Sequence, residues 1–282
     1  MRTSRTILIA LALAACDSPA AEHEEAGASH FTLWPKAFTP NPDLEMTLFT
    51  AVTHHGRSLP EASPDHPVYF TAQDEGFHAM GYPLAGEHSP MPAELERVLH
   101  EALKVRGYLP AEGTTHAPGL VLIFYWGSHN SIDQDLAGQI PDLRRQHTLE
   151  RANLIGGKAY GHRVELQLDF GTTPLDRSLK QDFLFYQSDR SLYYAVVSAY
   201  SYDEVARNER HLAWRTTMTV NADGVSMQET LPPLLLTAGD YFGRATDEVV
   251  AIRRTVRRGT VKLGPLRIVE SDVPLAPRAH KY

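Results

Sequence analysis

The chain has one cysteine, Cys16, in 282 residues. No internal disulfide can form, and a metal site built from several thiolates is excluded. Long apolar runs are also missing. The run that starts at Ile7 ends at Ala14 and Ala15, far short of the ~20 apolar residues a membrane-spanning helix needs. Positive charge is scarce: 27 lysines and arginines face 34 aspartates and glutamates, for a formal charge of −7. That balance argues against a broad nucleic-acid-binding surface, and no nucleic-acid partner is expected. Several catalytic signatures are absent: no H-E-x-x-H, no G-x-S-x-G and no S-x-x-K. Gly156-Gly157-Lys158 fails as a phosphate loop, because Ala152 and Ala159 stand where glycine and serine or threonine belong. No repeat with a period of 20–50 residues is present. No residue is assigned a catalytic role, and the sequence leans away from an enzyme.

What is present begins at the amino terminus. Arg2 and Arg5 form a basic start, Ile7–Leu13 is apolar, and small residues follow. This is the layout of a secretory signal over residues 1–15. The run Leu13-Ala14-Ala15-Cys16 resembles the bacterial lipobox. The resemblance implies cleavage before Cys16 and a covalent lipid on its sulfur. It places the protein in the bacterial cell envelope, facing the periplasm, with the membrane as a partner through the anchor. Each buried lipid methylene contributes about 0.8 kcal/mol, so two or three acyl chains anchor firmly where one does not. Asp17 resembles an inner-membrane retention signal of enteric bacteria, but that rule is not universal, and inner and outer membrane both stay open. Residues 16–30 are acidic, small and proline-containing, which predicts a tether.

From residue 31 to 272 the pattern predicts one α+β domain with a mainly antiparallel sheet, helices packed on one face and a helical insert at about 130–188. Strands are expected over Leu44–Val52, Val68–Thr71, Leu120–Trp126, Leu192–Tyr202 and Leu212–Val220, with a hairpin of Val249–Val256 and Thr260–Val269. Leu95, Val98, Leu99, Ala102 and Leu103 recur at helical spacing between Pro92 and Gly107. Leu143–Ile155 reads as a helix stopped by Gly156 and Gly157, and Leu175–Tyr186 as another. Ser226 and Glu229 form a capping-box pattern, but Pro232 and Pro233 predict a kink or a later start beyond it. Residues 273–282 read as a loose tail.

A second resemblance lies in the folded part. ERVLHEALKVRGYLP followed by GLVLIFYW, with the later YYAVVSAYSYDE and HLAWRTTMTV, is similar to an uncharacterised family of bacterial lipoproteins. It covers about half the chain and implies fold and location only. The helical insert departs from the short version of that pattern.

Three constellations could carry chemistry. Histidines are abundant at 14, and His54, His55 and His66 lie among carboxylates in a loop-rich stretch that also holds His78 and His88. Imidazole and carboxylate suit zinc or a similar divalent ion, so these three are the first metal candidates; surface histidines with no ligand are the alternative. Ser128 and His129 are neighbours, yet adjacent strand residues face opposite ways, so a polar strand end is preferred to a nucleophile and base. Arg253, Arg254, Arg257 and Arg258 form a basic knot that could dock an anionic envelope protein or cell-wall polymer. A solvated hairpin is the plainer reading. The leading expectation is a non-enzymatic binding or assembly module on a lipid anchor, with a metal-binding protein and a hydrolase of unrecognised site as alternatives.

The anchor is directly testable. In a bacterial host the wild-type chain should sediment with membranes, and Cys16→Ser should release it to the periplasmic fraction. Equal membrane retention of the two would contradict the lipid anchor.

Overall fold

The computed structural model describes residues 39, 41–82, 87–112, 115–131, 140–171 and 178–258. Leu13 to Cys16, the signal, the tether, the second hairpin strand and the tail lie outside the described residues. The element order is β1 (Asp43–Val52), α1 (His54–Ser58), β2 (Val68–Met80), α2 (Pro92–Lys104), β3 (Tyr108–Pro110), β4 (Leu120–His129), α3 (Pro141–Phe170), α4 (Leu179–Ser188), β5 (Leu192–Ser201), α5 (Tyr202–Ala206), β6 (Leu212–Asn221), α6 (Met227–Thr237) and β7 (Val250–Thr255).

The strands form one seven-stranded sheet in the order β3-β2-β4-β5-β6-β1-β7. β2 runs parallel to β3 and β4, and the other four pairings are antiparallel. The fold is α+β, as the sequence pattern predicts. Side chains alternate across each strand, and the two faces carry separate cores. Leu44, Met46 and Leu48 of β1 join Leu122, Phe124 and Trp126 of β4 and Met218 and Val220 of β6 on one face. The apolar stripe of α2 and Leu231, Leu234 and Leu235 of α6 cover that face. The helical insert makes the second core: Ala152, Ile155, Tyr160 and Val164 of α3 and Leu184 of α4 pack with Leu192 and partly buried Phe49. The insert therefore lies on the opposite face of the sheet from α2 and α6.

Three local outcomes differ from the sequence pattern. β2 continues nine residues past Thr71, to Met80, along β4. Its continuation is mostly exposed and mixes polar with small residues, so it lacks the apolar alternation by which strands are recognised. A bulge at Asp74–Gly76 is stabilised by the Gly76 N–H, which donates to Asp74 Oδ1 at 2.6 Å with Gly76 at φ 80°. α6 passes through Pro232 and Pro233 without a break. The prolines remove two donors from the helix, but its face is fully buried and its start is held by both capping-box hydrogen bonds. A short helix, α5, forms between the strands predicted over Leu192–Tyr202 and Leu212–Val220 and takes Tyr202 from the first.

Gly156 and Gly157 do end the helical backbone, but a second helical piece starts at once and runs on to Phe170. Gly157 sits at φ 67°, and a Cβ there would lie 2.9 Å from the Phe49 ring. The break lets α3 close over β1. Gly157→Ala should destabilise the fold by about 1–3 kcal/mol, from backbone strain and the crowded ring. Urea unfolding measures this, and an unchanged midpoint would contradict the role given to the break.

Candidate metal centre

β4 ends at the boundary between the two cores. Alternation sends Ser128 to the face covered by α2 and α6, and sends His129 to the opposite face, under α3. Both are fully buried. α3 begins with Pro141 in its first turn and buries Thr148, Arg151, Ala152 and Ile155 along one stripe. His147 and Glu150 flank that stripe at i, i+3 spacing, so both reach the same side of the helix. The result is a group of His129, His147 and Glu150 whose ligand atoms all lie within 4.8 Å of one another.

His129 Nε2 is 3.1 Å from Glu150 Oε2, and the His129 and His147 rings meet edge to face with centroids 5.2 Å apart. Gln146 Nε2 donates to the other Glu150 oxygen at 2.8 Å. The Nδ1 atoms of His129 and His147 are buried and make no hydrogen bond among the described residues. Buried polar atoms are nearly always paired, so two orphaned imidazole nitrogens beside one carboxylate are an unusual feature.

Charge at the site is set by Arg151, which is 2 % exposed. Its Nε donates to the Ser188 carbonyl at 2.6 Å and its Nη1 to the Asn130 carbonyl at 3.3 Å. Burial lowers the Arg151 pKa to about 10, which still leaves it charged at neutral pH. Burial, reinforced by the Arg151 charge, pulls the His129 pKa down to about 4 against the opposing pull of Glu150. Burial alone would raise Glu150, but hydrogen bonds from Gln146 and His129 outweigh it and hold the carboxyl below its ordinary value. At neutral pH the contact is therefore a neutral imidazole against a carboxylate. A neutral imidazole is the form a metal needs.

The group can hold a metal. Two imidazoles and a carboxylate are the donor set of three-ligand zinc sites. The 3.1 Å separation of Nε2 and Oε2 is close to the edge of a tetrahedron with bonds of about 2.0 Å, roughly 3.3 Å. An ion here would replace the His129 Nε2–H···Oε2 hydrogen bond, with the ring proton moved to Nδ1 and the Nε2 lone pair turned to the ion. Arg151 opposes a cation there, although its donors point at two backbone carbonyls.

The structure does not bring His54, His55 and His66 together. His54 and His66 are exposed. Neighbouring residues on a helix point about 100° apart, so His54 and His55 on α1 diverge. His55 instead contacts Glu204 at 3.1 Å, and His211 reaches the same Glu204 oxygen at 3.5 Å. His78 and His88 are exposed too. The four arginines also fail to make one patch. Arg253 pairs with Glu45 at 3.5 Å, Arg254 donates to Thr237 Oγ1, and Arg258 closes on Glu229 of the capping box at 2.8 Å. Arg257 is exposed. His147 and Glu150 went unrecognised in the sequence; the available signal was His-x-x-Glu within a predicted helix. Its link to His129 is a tertiary contact that no spacing shows.

No family model matches the chain, and no curated protein is significantly similar to it.

The buried imidazole predicts a pH dependence. His129 has a lower pKa folded, about 4, than its ordinary 6.5, so the unfolded chain takes up the proton first. Stability should be full above about pH 6.5 and fall as pH drops through 4, by about 3 kcal/mol in all. Urea unfolding at pH 7.5, 5.5 and 4.5 should give a shallower loss for His129→Asn. Identical pH slopes would contradict the assignment.

Proposed function

We propose that this chain is an envelope lipoprotein, tethered by lipid on Cys16, whose α+β domain is a binding module that carries one divalent ion of the zinc type on His129, His147 and Glu150. The observation that carries the metal reading is the convergence itself: one ligand atom each from His129, His147 and Glu150, all within 4.8 Å of one another. His129 is neutral at neutral pH, so its coordination displaces no charge-stabilising proton. Glu150 is 38 % exposed and offers the ion a way in from solvent. The missing catalytic motifs support a binding role over an enzymatic one. An ion here joins the end of β4 to α3, so it ties the insert to the sheet and stabilises the folded chain by mass action.

The lipid anchor is the proposed link to the membrane. Docking of a cell-wall polymer or envelope protein through Arg253, Arg254, Arg257 and Arg258 is a weaker reading, because three of the four already hold the fold together.

Equilibrium dialysis of the full chain against zinc at pH 7.5 should find one ion per chain. His147→Ala and Glu150→Gln should each weaken binding roughly 10–100-fold, with the far-ultraviolet circular dichroism unchanged. Absence of a stoichiometric ion, or variants that bind like wild type, would end the metal reading.

A further inference from the structure

A cavity of about 270 Å³ lies on the other side of the molecule's chemistry, away from His129, between α1, the segment that follows it, β3, β6 and residues 243–245. Its floor is aromatic. Tyr108 and Trp214 are 6 % and 4 % exposed, their rings 5.5 Å apart, and Phe242 supports Trp214 from behind at 6.1 Å. Val52, Leu59 and Leu120 continue the apolar lining. Gly243 keeps the floor open: it sits at φ 70°, and a Cβ there would be 1.9 Å from the Tyr108 hydroxyl.

The mouth is polar, with two arginines and one glutamate among its lining residues. Arg57 and Arg244 both line the cavity and both are exposed. Among the described residues neither guanidinium has an ion pair or hydrogen bond, in contrast to Arg106, which pairs with the lining carboxylate Glu61 at 3.3 Å. Glu61 is thereby engaged by Arg106, and the two cavity-lining arginines outnumber it beside an apolar floor. Guanidinium matches a carboxylate through two parallel hydrogen bonds, and an aromatic floor prefers a flat apolar body. The volume is at the small end of ligand pockets, which limits the occupant to a fragment-sized molecule.

We propose that this cavity binds a small organic acid with a flat apolar body, the ring on Tyr108 and Trp214 and the carboxylate between Arg57 and Arg244. The site is independent of the metal centre. It gives a binding module a ligand class.

The probe is 1-naphthoate, titrated into the full chain by equilibrium dialysis and by tryptophan fluorescence, beside its uncharged amide and inorganic phosphate. One equivalent of naphthoate should bind. The amide and phosphate should each bind at least about tenfold more weakly, since each satisfies only half of the site. The double variant R57A/R244A should lose at least about tenfold in naphthoate affinity and keep the wild-type melting temperature, because neither side chain has a partner to lose. Ala245→Phe, which fills the mouth without changing charge, should lose binding as well. No naphthoate binding, binding indifferent to both variants, or phosphate binding as tightly as naphthoate would overturn the proposal. None of these outcomes depends on whether zinc binds at His147.

Discussion

A buried guanidinium holds the helical insert to the sheet. Arg151 has almost no contact with water, and removing such a charge from solvent costs several kcal/mol unless its donors are satisfied. Two of them are met by carbonyls that need donors. Ser188 is the last residue of α4, where helix carbonyls lack intrahelical partners and carry the negative end of the dipole. Asn130 follows directly on β4. One side chain on α3 thus connects the end of a second helix to the end of a central strand. The contact fixes where α3 lies, and so it fixes what His129 meets.

The chemistry of the site follows from that placement. A histidine at an exposed strand end would titrate near its ordinary value. Under α3 it loses water and gains a neighbouring positive charge, and both disfavour the imidazolium. The carboxylate of Glu150 does not reverse the outcome. The same helix brings His147 to the edge of the His129 ring, with one nitrogen of each ring left unpartnered. Burial, reinforced by Arg151, keeps the His129 imidazole neutral and ready for a ligand role, and Arg151 also sets an electrostatic cost for any cation that enters. A dication must gain more from three donors than it loses to that charge. The module we envisage therefore combines an ion tying the insert to the sheet, a separate cavity with a cationic mouth, and a lipid that confines both to the envelope surface.

Much of the fold could be read from residue pattern. α2 and β4 were legible because their burial is complete and periodic: the stripe from Leu95 to Leu103 and the run from Leu120 to Trp126 need only helical spacing or continuous apolarity. The capping box at Ser226 and Glu229 is local chemistry, and it forms as written. The far end of β2 was illegible because its partner pays for the pairing on one side only and its own side chains stay wet. The prolines of α6 misled because packing across the sheet outweighs two lost donors. The site was least legible. His54, His55 and His66 are close in sequence, yet α1 and the turn after it separate them. His129 and Glu150 are separated in sequence and meet because the second core and Arg151 seat the insert on the sheet. Charge runs mislead for the same reason: alternation along β7 sends Arg253 and Arg254 to different partners.

The proposed ion would sit between β4 and α3. Crystals of the full chain grown with zinc, measured on both sides of the zinc absorption edge, test it most directly. The account predicts one strong anomalous peak about 2 Å from His129, His147 and Glu150. A peak elsewhere with this site empty, or no peak at all, would contradict it.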